Sequence, residues 1–353
     1  MKQELREVVS AWLLEGQPPD ETLSREIFAA AREDGVFLLL ADRLRRPEFA
    51  GELRAAAVVE VLRARELRVI LEALDAAGVR PILMKGAALA YTHYLRPELR
   101  PRSDVDLMIP ADARTSVART FTSAGYRRPP EIDGDVAIGQ FHFSRTDEHG
   151  CAHAFDVHWR VSNVRAFADA LTYEELARDA VAIQALGEHA RGVSQIHALF
   201  IACIHRIAHH GDTPNLLWLY DAHLIARSLS ADMRQAFVLL ATAKQMRAVC
   251  VRTLGLAQGA FGGLDERWIE SLTPPATTQE PSAAFVGGRL RQIDILKSDL
   301  AETAWTSRLQ LLREHLFPPA SYMRQRFPRW PTLLLPVAYA CRIVSGAPRW
   351  LRR

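Results

Sequence analysis

Three short segments hold residue types that can handle a phosphate and a divalent metal: Leu83-Met84-Lys85-Gly86-Ala87-Ala88-Leu89, Ser103-Asp104-Val105-Asp106-Leu107-Met108-Ile109 and Ala154-Phe155-Asp156-Val157-His158-Trp159-Arg160. In the second, the period-two alternation of a strand places Asp104 and Asp106 on one face and turns Val105, Leu107 and Ile109 toward a core. Paired carboxylates on a strand held rigid in this way suit Mg2+ (or Mn2+), a hard cation that takes oxygen ligands and shares them with phosphates. An Asp-x-Asp pair alone says little. Asp133-Gly134-Asp135 is the contrast: it lacks apolar flanks, follows Pro129-Pro130, and reads as a turn or solvated loop.

The first segment is an apolar strand that turns through glycine into a helix. Such a turn aims free backbone N–H groups at an anion. Gly86 lets the backbone approach a ligand closely, and Lys85 offers a point charge to a phosphate. In the third segment, alternation puts Asp156, His158 and Arg160 on one face and Phe155, Val157 and Trp159 in the core. If that strand lies beside the Asp104 strand, Asp156 completes a set able to clamp the attacking and leaving oxygens of an in-line displacement through metal. One of the carboxylates can also accept the proton of an attacking hydroxyl.

These residues need rigid elements to carry them. Residues 5 to about 74 show apolar positions at helical spacing, and Ala76-Ala77-Gly78 ends that pattern. Residues 81–84 then read as a strand, 86–95 as a helix, 96–103 as a loop, 104–109 as a strand and 113–124 as a helix stopped by Gly125. Residues 140–145 and 153–161 alternate as a hairpin. After about residue 190 helices return, led by the stripe Ile196, Leu199, Phe200, Cys203, Ile204 and Ile207, with His205 and His209 on the opposite face. Residues 272–288 form the main loop there. The elements read as α+β: a strand-bearing core over 76–190, flanked by helical lobes over 1–75 and 191–353.

Taken together, Lys85-Gly86-x-x-Leu89, Tyr94, Arg100, Asp104-x-Asp106-Leu107 and Asp156-x-His158-Trp159 resemble the uncharacterised nucleotidyltransferase family of the polymerase-β-like superfamily, strongly over about residues 76 to 162. The resemblance implies a small mixed β-sheet nucleotidyltransferase core with helices on one side, and metal-dependent transfer of a nucleoside monophosphate from a nucleoside triphosphate, ATP being the expected donor, to a hydroxyl-type acceptor with release of pyrophosphate. It implies Asp104, Asp106 and Asp156 as catalytic, metal-binding residues, and Lys85, Gly86, Ala87, Arg102 and Ser103 at the nucleotide. It extends faintly to His205, and to Trp218 with Asp221. His158, Arg100, His205 and Asp221 are expected near the acceptor or around the carboxylates. The sequence departs from the superfamily's Gly-Ser or Gly-Gly turn at Ala87, which offers no hydroxyl. Phosphate binding is therefore expected to rest on backbone N–H groups, Lys85, and Arg100 or Arg102. The competing reading is a catalytically silent nucleotide-binding or regulatory partner of the same fold, which the intact carboxylate set argues against.

Bulk properties narrow the partners. The chain has 353 residues, is 49% hydrophobic and 24% charged, and carries a net charge of only +3, so a dedicated nucleic-acid binder is not expected. Lysine occurs only at positions 2, 85, 244 and 297, which makes Lys85 more noticeable. Cys151, Cys203, Cys250 and Cys341 are scattered and form no metal or disulfide pattern, so a reducing, cytoplasmic setting is expected. The first residues mix charges without a signal-peptide core. The longest apolar run, 333–341, contains Pro336 and is too short to span a bilayer. Arg324, Arg326, Arg329, Arg342, Arg349, Arg352 and Arg353 flank the apolar segment 333–344, and a terminal helix docked on the core is expected in preference to one lying on a membrane surface.

Overall fold

The computed structural model describes residues 2–15, 25–132, 134–288 and 290–351; Asp133, Arg352, Arg353 and the side chain of Arg349 lie outside them. The fold is α+β, built on one mixed sheet. Its strands are β1 (Ile82–Met84), β2 (Val105–Met108), β3 (Gln140–Thr146), β4 (Ala152–His158), β5 (Val181–Ala182) and β6 (Arg191–Gly192), in the order β3-β4-β2-β1-β6-β5. β2 runs parallel to β4 and antiparallel to β1, while β3 and β4 form the expected hairpin.

Helices α1 (Lys2–Glu15), α2 (Arg25–Glu33), α3 (Phe37–Leu44) and α4 (Ala50–Ala76) precede the sheet. α5 (Lys85–Thr92) and α6 (Arg114–Ser123) lie between its strands, and α7 (Arg165–Ala168) and α8 (Tyr173–Arg178) follow the hairpin. The remainder is helical: α9 (Gln195–His210), α10 (Leu216–Ser228), α11 (Ala231–Ala243), α12 (Arg247–Phe261), α13 (Glu266–Ser271), α14 (Gln292–Glu302), α15 (Trp305–Leu316), α16 (Ala320–Arg326) and α17 (Leu335–Leu351).

One face of the sheet is covered by α4 and α6. Leu67, Ile70, Leu71 and Leu74 of α4, with Val117 and Phe121 of α6, pack on Val105, Leu107, Phe143, Phe155 and Val157. Each such fully buried side chain contributes roughly 1.5–3 kcal/mol, which anchors β2 and β4 at the positions alternation assigns to the core. A second core joins Ile82, Met84 and Met108 to Phe200, Cys203, Ile204 and Ile207 of α9. The preceding helices divide their loyalties: α4 serves the sheet, whereas Val9, Trp12, Phe37 and Leu40 pack with Leu216, Leu217, Leu219 and Phe261 of α10 and α12.

Some boundaries differ from the sequence reading. α5 ends at Thr92, and Tyr94 instead donates its hydroxyl to Asp221 at 2.6 Å. β4 ends at His158: the Gly139 carbonyl still accepts from the Trp159 and Arg160 N–H groups, but the Gly139 N–H donates to Asn163 Oδ1 at 2.6 Å and no longer returns the ladder bond. β5 and β6 were not expected, since two-residue strands show no periodicity. Asp135 pairs with Arg114 at 2.7 Å and its side chain is 69% exposed, as befits a solvated loop.

Candidate active site

The turn between β1 and α5 is made by Lys85, not by glycine. Lys85 has φ of 49°, the left-handed region that costs a non-glycine residue about 1–2 kcal/mol. Such a conformation persists where the surroundings over-determine it. Here the Lys85 ammonium is buried and donates to Asp106 Oδ1 at 2.7 Å. Gly86 sits in the first turn of α5 and serves another purpose. A Cβ there would lie 2.9 Å from Arg100 Nη1, so its missing side chain makes room for that guanidinium.

The carboxylates meet because of register. Asp106 of β2 faces Asp156 of β4 directly across the parallel pair, and Met108 faces His158 two residues on. His158 Nε2 lies 2.9 Å from Asp106 Oδ1, and His142 of β3, opposite Asp156, brings its Nδ1 onto Asp156 Oδ1. Ligand atoms of Asp106, Asp156 and His158 lie within 4.8 Å of one another. Asp104 stands just before β2, half-buried, lining the same cavity.

Electrostatics separate the two aspartates of β2. Burial, then the charges of Asp106 and Asp156, push the Asp104 carboxyl up to about 6. Burial also acts against ionised Asp106, but the Lys85 ammonium and the His158 hydrogen bond outweigh it and hold that carboxyl far below the usual range. Burial and Lys85 lower His158, which keeps it neutral, whereas the Asp156 hydrogen bond raises His142. An oxygen-rich set whose like charges crowd Asp104 fits a hard divalent cation.

The walls are braced by buried ion pairs. Arg100 donates to both carboxylate oxygens of Asp221, at 3.2 and 2.7 Å, and to the Pro101 carbonyl. Arg102 pairs with Glu60 at 2.6 Å while its Nε and Nη1 have no hydrogen-bond partner among the described residues. Arg63 Nη1 donates to the Arg102 carbonyl at 2.6 Å. Opposite stand residues of α9 and α10, helices capped by Ser194 and Asn215. His210 stacks on Trp218 at 3.8 Å and contacts His205 at 3.1 Å. Burial drives His209 down to about 3 and His205 well below its ordinary value, so this wall is uncharged at neutral pH.

One cavity of about 760 Å³ is lined by Lys85, Gly86, Arg100, Arg102, Ser103, Asp104, Asp106, Asp156, His205 and Asp221, all expected from the sequence. Ala87 is buried beneath the turn and His158 behind Asp106. The sequence reading missed Arg63, Gln140, His142 and Glu60. Period-two alternation in β3 sets Gln140 and His142 opposite buried Phe141 and Phe143, a signal that puts His142 on the polar face of the hairpin, while its place beside Asp156 comes from the register. Another cavity, of about 740 Å³ along α6, holds Asp112 and Asp135 but no part of the Lys85 turn. Asp147, Cys151 and His153 also converge, at the hairpin turn, where Asp147 accepts from the His149 and Cys151 N–H groups and lies 2.9 Å from His153 Nε2.

No curated protein matches the chain. The family model described as uncharacterised nucleotidyltransferase matches residues 21–262, a span from α2 through α12 that contains the whole cavity lining. With well over half of its 353 residues accounted for in this way, the chain belongs to the uncharacterised nucleotidyltransferase family.

Proposed function

We propose that the protein moves a nucleoside monophosphate from a nucleoside triphosphate to a hydroxyl-type acceptor, a small molecule, peptide or protein, and releases pyrophosphate. The observation that carries this reading is the convergence of Asp104, Asp106 and Asp156 with the Lys85 turn in a single cavity. Asp104, Asp106 and Asp156 would hold Mg2+ or Mn2+, which when bound neutralises phosphate charge and acidifies oxygens attached to it. The chain's own residues position and deprotonate.

Lys85 exchanges its bond to Asp106 for a phosphate oxygen of the donor, with ATP the first to be tried. Free N–H groups at the start of α5 and the unpartnered nitrogens of Arg102 orient the triphosphate. Ser103, exposed at the rim, adds a hydroxyl. Asp156, held by His142, takes the proton of the attacking hydroxyl. The new bond joins the acceptor oxygen to the α-phosphorus as the bond to the bridging oxygen breaks, and pyrophosphate departs. The uncharged face of His205, His209, His210 and Trp218 supplies an aromatic wall for the base or the acceptor.

The test is transfer of α-phosphate label from ATP into fractionated metabolite and peptide pools, with pyrophosphate measured alongside. Label transfer is expected in the parent, with a loss of on the order of 1,000-fold in Asp104→Asn and Asp106→Asn. Unchanged transfer in both variants overturns the assignment of the carboxylates.

A further inference from the structure

The last 50 residues, 304–353, differ in character from everything before them. They contain nine arginines, no lysine and a single acidic residue, Glu314, a net charge of +8 in a chain whose total is +3. The rest of the chain is therefore net negative. The family match ends at residue 262, so this segment is an appendage to the nucleotidyltransferase body.

Its apolar residues face outward. Trp305 and Leu309 are each 80% exposed and stand one turn apart on the same side of α15. Leu333 is 92% exposed, and Trp330, Leu334, Val337 and Val344 are exposed with it. Arg324, Arg326 and Arg329, which precede Trp330 and Leu333 in the chain, are exposed and meet no carboxylate among the described residues. Glu314 does not neutralise them. It turns inward and accepts the N–H groups of Asp135, Val136 and Ala137 at 3.1, 3.0 and 2.7 Å, tying the appendage to the body. Pro336 is the second residue of α17, in the first turn where proline is tolerated.

From this we infer that residues 305–344 dock the protein on an anionic phospholipid surface, with Trp305, Leu309, Leu333 and Val337 entering the headgroup boundary and Arg324, Arg326 and Arg329 meeting lipid phosphates. Charge complementarity selects this occupant. A second copy paired through this same face would bring two strongly cationic surfaces together, which is repulsive. Nucleic acid rewards flat aromatic faces, whereas Leu309, Leu333 and Val337 gain only from hydrocarbon. Tryptophan beside arginine is the pairing favoured at a bilayer interface. No described helix is long and apolar enough to cross a membrane, so the contact is peripheral.

Flotation of the full chain with vesicles decides it. The protein should float with vesicles of equal parts phosphatidylcholine and phosphatidylglycerol, and not with phosphatidylcholine alone. The triple variant Arg324→Gln, Arg326→Gln, Arg329→Gln should bind the anionic vesicles on the order of 100-fold more weakly. Leu309→Asp with Leu333→Asp should abolish flotation while circular dichroism stays unchanged, because both positions are exposed. Failure of the parent to float with anionic vesicles overturns the proposal. So does undiminished binding by the triple variant, or displacement from the vesicles by single-stranded RNA.

Discussion

At the scale of single residues, the site is a contest among charges in a small volume. Asp104 carries an elevated carboxyl pKa, about 6 against an ordinary 3.8, so it takes up a proton more readily folded than unfolded. The sign follows: stability of the metal-free protein falls as pH rises from about 4 through 6, where the unfolded chain has already released that proton and the folded chain must still do so. Asp104→Asn removes the penalty. In the presence of chelator at pH 7.5 this variant should unfold at a higher temperature than the parent, by on the order of 1 kcal/mol after discounting for partial exposure, and the gap should close near pH 4. A lower midpoint for Asp104→Asn at pH 7.5 would contradict the crowding of like charges. Mg2+ should raise the midpoint of the parent and leave that of Asp104→Asn nearly unmoved.

Lys85 makes a second residue-scale case, because its backbone strain and its ammonium can be separated. Lys85→Gly relieves the left-handed φ of 49° and Lys85→Ala does not, while both remove the charge. Chemical denaturation should find Lys85→Gly more stable than Lys85→Ala by roughly 1 kcal/mol. Triphosphate binding should weaken in both alike. Equal stabilities would mean that the turn relaxes once the ammonium is gone.

At the scale of elements, β2 and β4 were legible and the turn before α5 was only half so. Alternation in 104–109 and 154–158 separates the carboxylate face from the core, since Val105, Leu107, Phe155 and Val157 are all buried on the other side, but it fails at Arg160, which lies beyond β4 and donates to the Val136 carbonyl instead of lining the cavity. What alternation cannot give is adjacency: that β4 lies parallel beside β2, with Asp106 opposite Asp156, depends on the whole sheet. Gly86 shows the same limit. A glycine beside a strand reads as the turning residue, but its φ is not positive, and its value lies in the space Arg100 occupies. Arg100 reads as a phosphate ligand until Asp221, 121 positions away in sequence, is seen to hold it. Gly86→Ala should therefore destabilise the protein by about 1–3 kcal/mol, because Arg100 is fixed by Asp221 and cannot retreat. In an Arg100→Gln background the same change should cost far less, as a double-mutant cycle in urea would report. Additive effects would remove Arg100 from the explanation of Gly86.

At the scale of the whole molecule, the cavity exists because three separately coded bodies of structure meet around it. The sheet supplies the carboxylates, the β1–α5 turn the cation, and α9 with α10 the aromatic wall. The stripe of Phe200, Cys203, Ile204 and Ile207 that packs α9 against Ile82, Met84 and Met108 is what turns His205 and His209 to the opposite side, toward the cavity. That long-range packing was outside the reach of periodicity, which assigned the two histidines a face but no neighbour. Membership of the uncharacterised nucleotidyltransferase family agrees with the chemistry read from the carboxylates and the Lys85 turn. The most direct measurement is calorimetric titration of the full chain with a non-hydrolysable triphosphate, with and without Mg2+. The account predicts saturable binding that needs Mg2+, weakens on Lys85→Met and is lost in Asp106→Asn. Absence of binding for all four nucleoside triphosphates in the presence of Mg2+, or binding indifferent to Lys85 and Asp106, would contradict it.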